Sequence, residues 1–143
     1  MLYDQPMSTI PSISGHILRD CLGLRVQRLN REVTRLYDAH ARQHGMTAAR
    51  INVMAAIAAN PGIQARDLVE PLSLEKSTLS RNLGRLERDG LVRTKSQGRG
   101  QLLHLTADGK RKMQALYPSW QQAQDQAEDL LGELRGPLME YGN

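Results

Sequence analysis

Phenylalanine is missing from this 143-residue chain, whose aromatics are one tryptophan and four tyrosines. Proteins that read RNA or single strands stack bases on aromatic side chains, so this scarcity argues against such partners; duplex DNA needs no such platform. Cysteine occurs once, at Cys21, and forms no internal disulfide. No apolar run reaches the length of a signal peptide or a membrane span, so the expected location is the cytoplasm with no membrane partner. A Walker loop, a dinucleotide fingerprint, a nucleophile elbow and a paired metal motif are also lacking, and Gly98-Arg99-Gly100 is too short to cradle a phosphate. His40 and His44 stand four apart without a third ligand type nearby, while His16 and His104 are isolated. The expectation is a protein that is not an enzyme and carries neither cofactor nor metal.

What the chain does carry is unevenly placed charge. Its formal net charge is +4. From Glu75 to Ala107 seven Lys/Arg stand against three acids, a net of +4, whereas from Met113 to Asn143 one arginine stands against five acids, a net of −4. One region suits phosphate and the other repels it. This length predicts one compact domain with a real core and little room for a separate sensor.

The basic region centres on Leu74 to Gly90, LEKSTLSRNLGRLERDG. Leu79, Leu83 and Leu86 recur at i, i+4 and i+7 and predict a buried stripe, with Ser77, Arg81, Gly84 and Arg88 on the opposite side. Ser73 is placed to N-cap this helix, Glu75 falls in its first turn, and Gly90 stops it. Small hydroxyls and guanidiniums with few bulky groups between them suit base edges in a major groove. Two β-prone runs follow, Leu91 to Lys95 and Leu102 to Leu105, and the glycines of Ser96 to Gln101 permit the turn of a hairpin. Arg99 at its tip is free to enter a narrow minor groove. Upstream, Thr47 to Asn60 predicts a helix with Ile51, Met54 and Ile57 inward, ended by Asn60-Pro61-Gly62. Gln64 to Leu72 predicts a short third helix, and Pro71-Leu72-Ser73 the turn of a helix-turn-helix.

Ser77–Gly90, the hairpin with Arg99 and then Leu105-Thr106-Ala107-Asp108-Gly109 together resemble the winged helix-turn-helix of the MarR family of bacterial transcription regulators. Arg31 to Asp38 and Pro118 to Gln124 are similar to the first and fifth helices of one branch of that family, so the likeness spans about residues 20 to 135. Gln97 departs from the pattern: the family commonly has an aspartate there, which would brace Arg99.

The ends of the chain predict a dimer. Met1 to Ser14 reads as an arm that is mobile or embraces a partner. From Ile17 to about Gly45 one helix carries Leu18, Leu22, Val26, Leu29, Val33 and Leu36 along a stripe longer than a small reader covers. From Ala107 a long helix carries a seam through Met113, Leu116, Trp120, Ala123, Ala127, Leu130, Leu134 and Leu138; Pro118 should bend it, and Gly132 with Gly136-Pro137 should set off a short last helix. Leu18, Leu22, Trp120, Leu130, Leu134 and Leu138 are the expected dimer contacts, an intrachain helical hairpin being the alternative. The expected fold is mainly α with a small β-hairpin: an arm and dimerisation helix over 1–45, a winged helix-turn-helix over 46–106, and C-terminal dimerisation helices over 107–143, all in one compact domain.

These features together predict a homodimeric regulator bound to palindromic double-stranded DNA, most often a repressor in the family it resembles. Gln64, Arg66, Ser73, Lys76, Ser77, Ser80, Arg81, Arg85, Arg88 and Arg99 are the candidate DNA contacts. The resemblance implies release by a small aromatic or phenolic ligand between the dimer helices and the reader, or by oxidation of a cysteine near the start of the first helix. Cys21 stands near that place; Arg19 and Arg25 favour its thiolate and Asp20 opposes it, while a plain core cysteine is the alternative. A second function class is a winged-helix interaction module that turns its basic face to an acidic protein.

Overall fold

The computed structural model describes residues 9–142. These form two compact units, one ending at Arg35 and the other beginning at Leu36. The first holds α1 (Ile10–Asp20) and the N-terminal part of α2 (Leu22–Arg42). Thr9 caps α1, its hydroxyl accepting from the Ser12 amide at 3.4 Å, and Pro11 sits in the first turn, where a missing N–H costs nothing. The helix therefore begins at Ile10 and not at Ile17, and the part of the expected arm before Thr9 lies outside the described residues. Nor is it one long rod: at Cys21 the backbone is extended (φ −69°, ψ 109°) and the helix is interrupted. The Arg25 guanidinium donates to the Arg19 carbonyl at 2.6 Å, satisfying an acceptor at the end of α1. No residue of α1 is buried, and Ile17, Leu18, Leu22 and Val26 stay more than half exposed.

The second unit closes a core between α3 (Ala48–Ala59), α4 (Lys76–Arg88), α5 (Ala107–Leu131) and an antiparallel sheet of β1 (Ile63–Gln64), β2 (Val92–Gln97) and β3 (Gly100–Leu105), ordered β1-β3-β2. Met46, Val53, Met54, Ile57, Leu68, Leu86 and Leu103 are its fully buried members. Ile51, Met54 and Ile57 face inward as the period of α3 predicts, and the Thr47 hydroxyl caps that helix. The Asp38 carboxylate takes a second orphan amide, that of Ala48, at 2.8 Å. Pro118 sits inside an unbroken α5; Gly132, at φ 53°, ends that helix. A single 3-10 turn (Gly132–Leu134) then leads into α6 (Arg135–Glu140), which carries Gly136 and Pro137 in its first turn.

The expected third helix is mostly not there. Ile63 and Gln64 are instead strand β1, paired with Leu103 and Leu102, and only Ala65–Leu68 winds into a 3-10 turn. Two residues are too few to show a strand period, and the pairing partner lies far along the chain.

Helices α2 and α4, and the turn that leads into α4, end by one device. Gly45 (φ 66°), Ser73 (φ 50°) and Gly90 (φ 72°) are each left-handed. In each case that residue's amide and the next one's bond back to carbonyls of the preceding turn, as in Gly90 to Glu87 at 3.0 Å and Leu91 to Leu86 at 2.9 Å. The apolar residue after the stop, Met46, Leu74 or Leu91, then packs on the core. Ser73 therefore ends the segment before α4 and does not cap α4. The capping position belongs to Glu75, which makes no side-chain capping bond.

The C-terminal end of α2 meets α5 through polar groups. The Tyr37 hydroxyl donates to Gln124, whose amide donates to Glu128 at 3.3 Å, and Arg135 donates to the same carboxylate at 3.0 Å. His44 bonds the Ser119 hydroxyl at 2.9 Å and His40 bonds Gln126 at 3.2 Å, so both histidines serve helix packing. Among the described residues no three metal-ligating side chains gather.

Candidate nucleic-acid interface

Leu79, Leu83 and Leu86 are buried as their spacing predicts, and this fixes which side of α4 looks outward. Lys76, Ser77, Ser80, Arg81, Arg85 and Arg88 are all exposed. Gly84 lies among them, and a Cβ built on it would meet nothing within 4 Å. Packing does not call for a glycine there. The Arg81 guanidinium rests on the neutral Thr78 hydroxyl at 3.3 Å, and among the described residues no carboxylate pairs with it. Arg85 is different, since its Nε donates to Asp89 at 3.0 Å.

The hairpin is anchored to this helix and to the start of α5. The Thr94 hydroxyl of β2 donates to Glu87 of α4. At the other end of the hairpin the Thr106 hydroxyl donates to the Gly90 carbonyl at 2.6 Å and accepts from the Gly109 amide at 3.0 Å, tying the stop of α4 to the first turn of α5. The turn between β2 and β3 is Gly98-Arg99, flanked by the pair Gln97 and Gly100. Gly98 takes the positive φ (59°) that the first position of a tight two-residue turn requires. Arg99 is thereby exposed at the tip, and among the described residues no carboxylate pairs with it.

The remaining expected contacts are scattered around this face. Gln64 is half-buried, and its amide lies so close to Gly100 that a Cβ there would stand 2.9 Å from Nε2. Arg66 is exposed in the 3-10 turn and shares with Lys76, Leu79, Leu83 and Leu103 the lining of a groove of about 450 Å³ beside α4. Ser73 is exposed in the turn before α4. Sequence reasoning missed Asp89 and Arg50, whose Nη1 lies 3.9 Å from the Asp89 carboxylate. The i, i+4 spacing of Arg85 and Asp89 was a legible signal for the first. For Arg50, on a different helix, there was none.

An exposed helix, entered from a 3-10 turn through a tight bend and set beside a β-hairpin, defines the class: a winged-helix protein. Comparison with known proteins narrows it. The sequence pattern of the MarR family matches residues 44–101. Transcriptional regulator HosA of Escherichia coli O111:H- is 35% identical over 98 residues, which are 66% of this chain and 70% of HosA. The M. tuberculosis transcriptional regulator MosR superposes with a TM-score of 0.77 at 26% identity, over 87% of this chain and 95% of MosR. A mutant MarR from E. coli, complexed with operator DNA, shares the fold with a TM-score of 0.75 at 24% identity, over 88% and 93% of the two chains. The chain belongs to the MarR family and is a transcriptional regulator, not an enzyme.

Proposed function

We propose that this chain is a homodimer that binds palindromic double-stranded DNA sequence-specifically and represses transcription until a small aromatic or phenolic ligand, or an oxidant, releases it. The observation that carries the reading is the outer face of α4, where the exposed Ser77, Ser80, Arg81 and Arg88 surround Gly84 and nothing lies within 4 Å of where a Cβ on that glycine would stand. A helix with hydroxyls and guanidiniums around a gap in its side chains can seat closely in a major groove and hydrogen-bond base edges. Arg99 on the wing suits the adjacent minor groove; Lys76, Arg85 and Arg88 on α4, with Gln64, Arg66 and Ser73 beside it, are the proposed contacts to phosphates. The fold itself accommodates operator DNA in the E. coli MarR mutant.

A second copy is supported by the apolar side chains at both ends. Leu18 and Leu22 are 62% and 79% exposed, and Leu130, Leu134 and Leu138 lie between 45% and 53%, apolar side chains that a second copy would bury. Trp120 contributes less, because it packs half-buried against the chain's own core and stacks on Tyr117. A two-fold axis would set two α4 helices about 34 Å apart, one turn of duplex. Cys21 is exposed, which oxidation requires. The cytoplasm is the proposed place of action; among the described residues no helix is long and apolar enough to cross a membrane.

Selection of bound duplexes from a random pool tests this reading, followed by titration of the enriched site at several salt concentrations. A palindromic site bound at least about 1,000-fold more tightly than random duplex is expected. Equal affinity for both would instead favour the acidic-protein partner.

A further inference from the structure

Asp89 holds two arginines from two different helices, and holds them unequally. It sits at the end of α4, and both of its oxygens accept from Arg85 Nε, at 3.0 and 3.3 Å. On its other side is Arg50, in the first turn of α3, whose side chain is only 12% exposed. Arg50 Nε is satisfied by the Thr47 hydroxyl at 3.2 Å. Its Nη1 is buried, stands 3.9 Å from the Asp89 carboxylate, and among the described residues makes no hydrogen bond. A buried donor left unmet is costly, and a carboxylate within a small side-chain rotation would meet it. Asp89 does not make that bond while it faces Arg85, which is 55% exposed on the rim of the outer face of α4.

We propose that Asp89 is a positioning residue that changes partner when α4 meets DNA: Arg85 passes from its carboxylate to a backbone phosphate, and the carboxylate closes on Arg50 Nη1. This rests on the DNA-binding reading above. In free protein the pair neutralises a cation that would otherwise attract any polyanion. In the complex the phosphate replaces Asp89, and the buried guanidinium gains the acceptor it lacks. The exchange balances: two charged hydrogen-bond pairings replace one, and no group is left bare. Asp89 therefore sets how readily α4 adds one further phosphate contact per protomer, and so tempers binding to arbitrary duplex.

The test is the salt dependence of binding to the selected duplex and to a random one, for wild type, Asp89→Asn, Arg85→Gln and the double variant. Each phosphate neutralised adds about 0.9 to the slope of log affinity against log salt. Asp89→Asn is expected to tighten random-duplex binding, and Arg85→Gln is expected to abolish that gain when the two are combined. A gain that persists without Arg85 would show a bare charge effect and overturn the proposal, as would no change on Asp89→Asn. The second readout is the spectrum of ¹⁵N-labelled arginine side chains in the wild-type protein. Arg50 guanidinium protons should exchange more slowly in the complex than in free protein, and equal rates would overturn the exchange of partners. A wild type that selects no duplex at all would instead sink the DNA-binding reading itself.

Discussion

A Cβ on Gly109 would stand 2.1 Å from the carbonyl oxygen of Leu91, a distance no side chain tolerates. That carbonyl accepts the Thr106 amide at 3.1 Å, so it cannot move aside without loosening the joint between α4, the hairpin and α5. The glycine of the LTADG segment is thus a packing requirement, set by the backbone crossing it. Gly109→Ala should lower stability by about 1–3 kcal/mol from overpacking, despite alanine's better helix propensity. Urea unfolding of the two proteins measures this, and an unchanged midpoint would contradict it.

Gly84 should behave in the opposite way. A Cβ there would meet nothing within 4 Å, so alanine gains helix propensity and collides with nothing. Gly84→Ala should raise stability by about 1 kcal/mol and shift the melting temperature upward. If the helix seats closely in a groove there, the same change should weaken binding to the selected duplex. A variant that is stabler and binds equally well would remove Gly84 from the interface.

Ser73 is the one residue other than glycine with positive φ among those described, at 50°. The left-handed conformation costs an ordinary residue about 1–2 kcal/mol, and a β-branched one fits it worst. Thermal melts should rank Ser73→Gly at or above wild type and Ser73→Val clearly below it. A serine kept only for its hydroxyl would give a glycine variant less stable than wild type.

Arg81 and Arg99 should differ in kind when truncated. Arg81→Ala is expected to cost about 1–3 kcal/mol and to relax base preference at one position of each half-site. Arg99→Ala should chiefly weaken binding to sites with A·T-rich flanks, where the minor groove is narrow. Fluorescence anisotropy against a set of single-base variants separates the two, and unchanged affinities in both would refute the assignment.

The seam between α2 and α5 should respond to acid. Hydrogen bonds from Arg135 and Gln124, together with the arginine's charge, lower the Glu128 carboxyl below its ordinary value of 4.5. A depressed folded-state value means that its stabilisation is present above the ordinary value and is lost as pH falls through the folded one. Any excess in melting temperature of wild type over Glu128→Gln should be present at neutral pH and vanish below the carboxylate range. Burial, and then the nearby Glu128 charge, raise the Tyr37 hydroxyl above its ordinary value, so it remains a donor to Gln124 well into alkaline pH.

Much of the reader was legible in the residues because its signals are local. The 4-and-3 spacing of Leu79, Leu83 and Leu86 chose the buried side of α4, and by exclusion its outer one. Thr47 and Asn60 bracketed α3, and Gly98 marked the hairpin turn; each acts within a turn or two of itself. Tertiary structure decided what depends on residues distant in the chain. Strand β1 exists because Leu102 and Leu103 supply its pairing partners, Ser73 is left-handed because Leu74 must reach the core, and Asp89 lies between Arg85 and Arg50 because α3 packs against α4. Periodicity reports which side of an element is apolar; it does not report what that side, or the opposite one, will meet. Such contacts are settled only when the core closes and brings distant backbone to within a few ångströms.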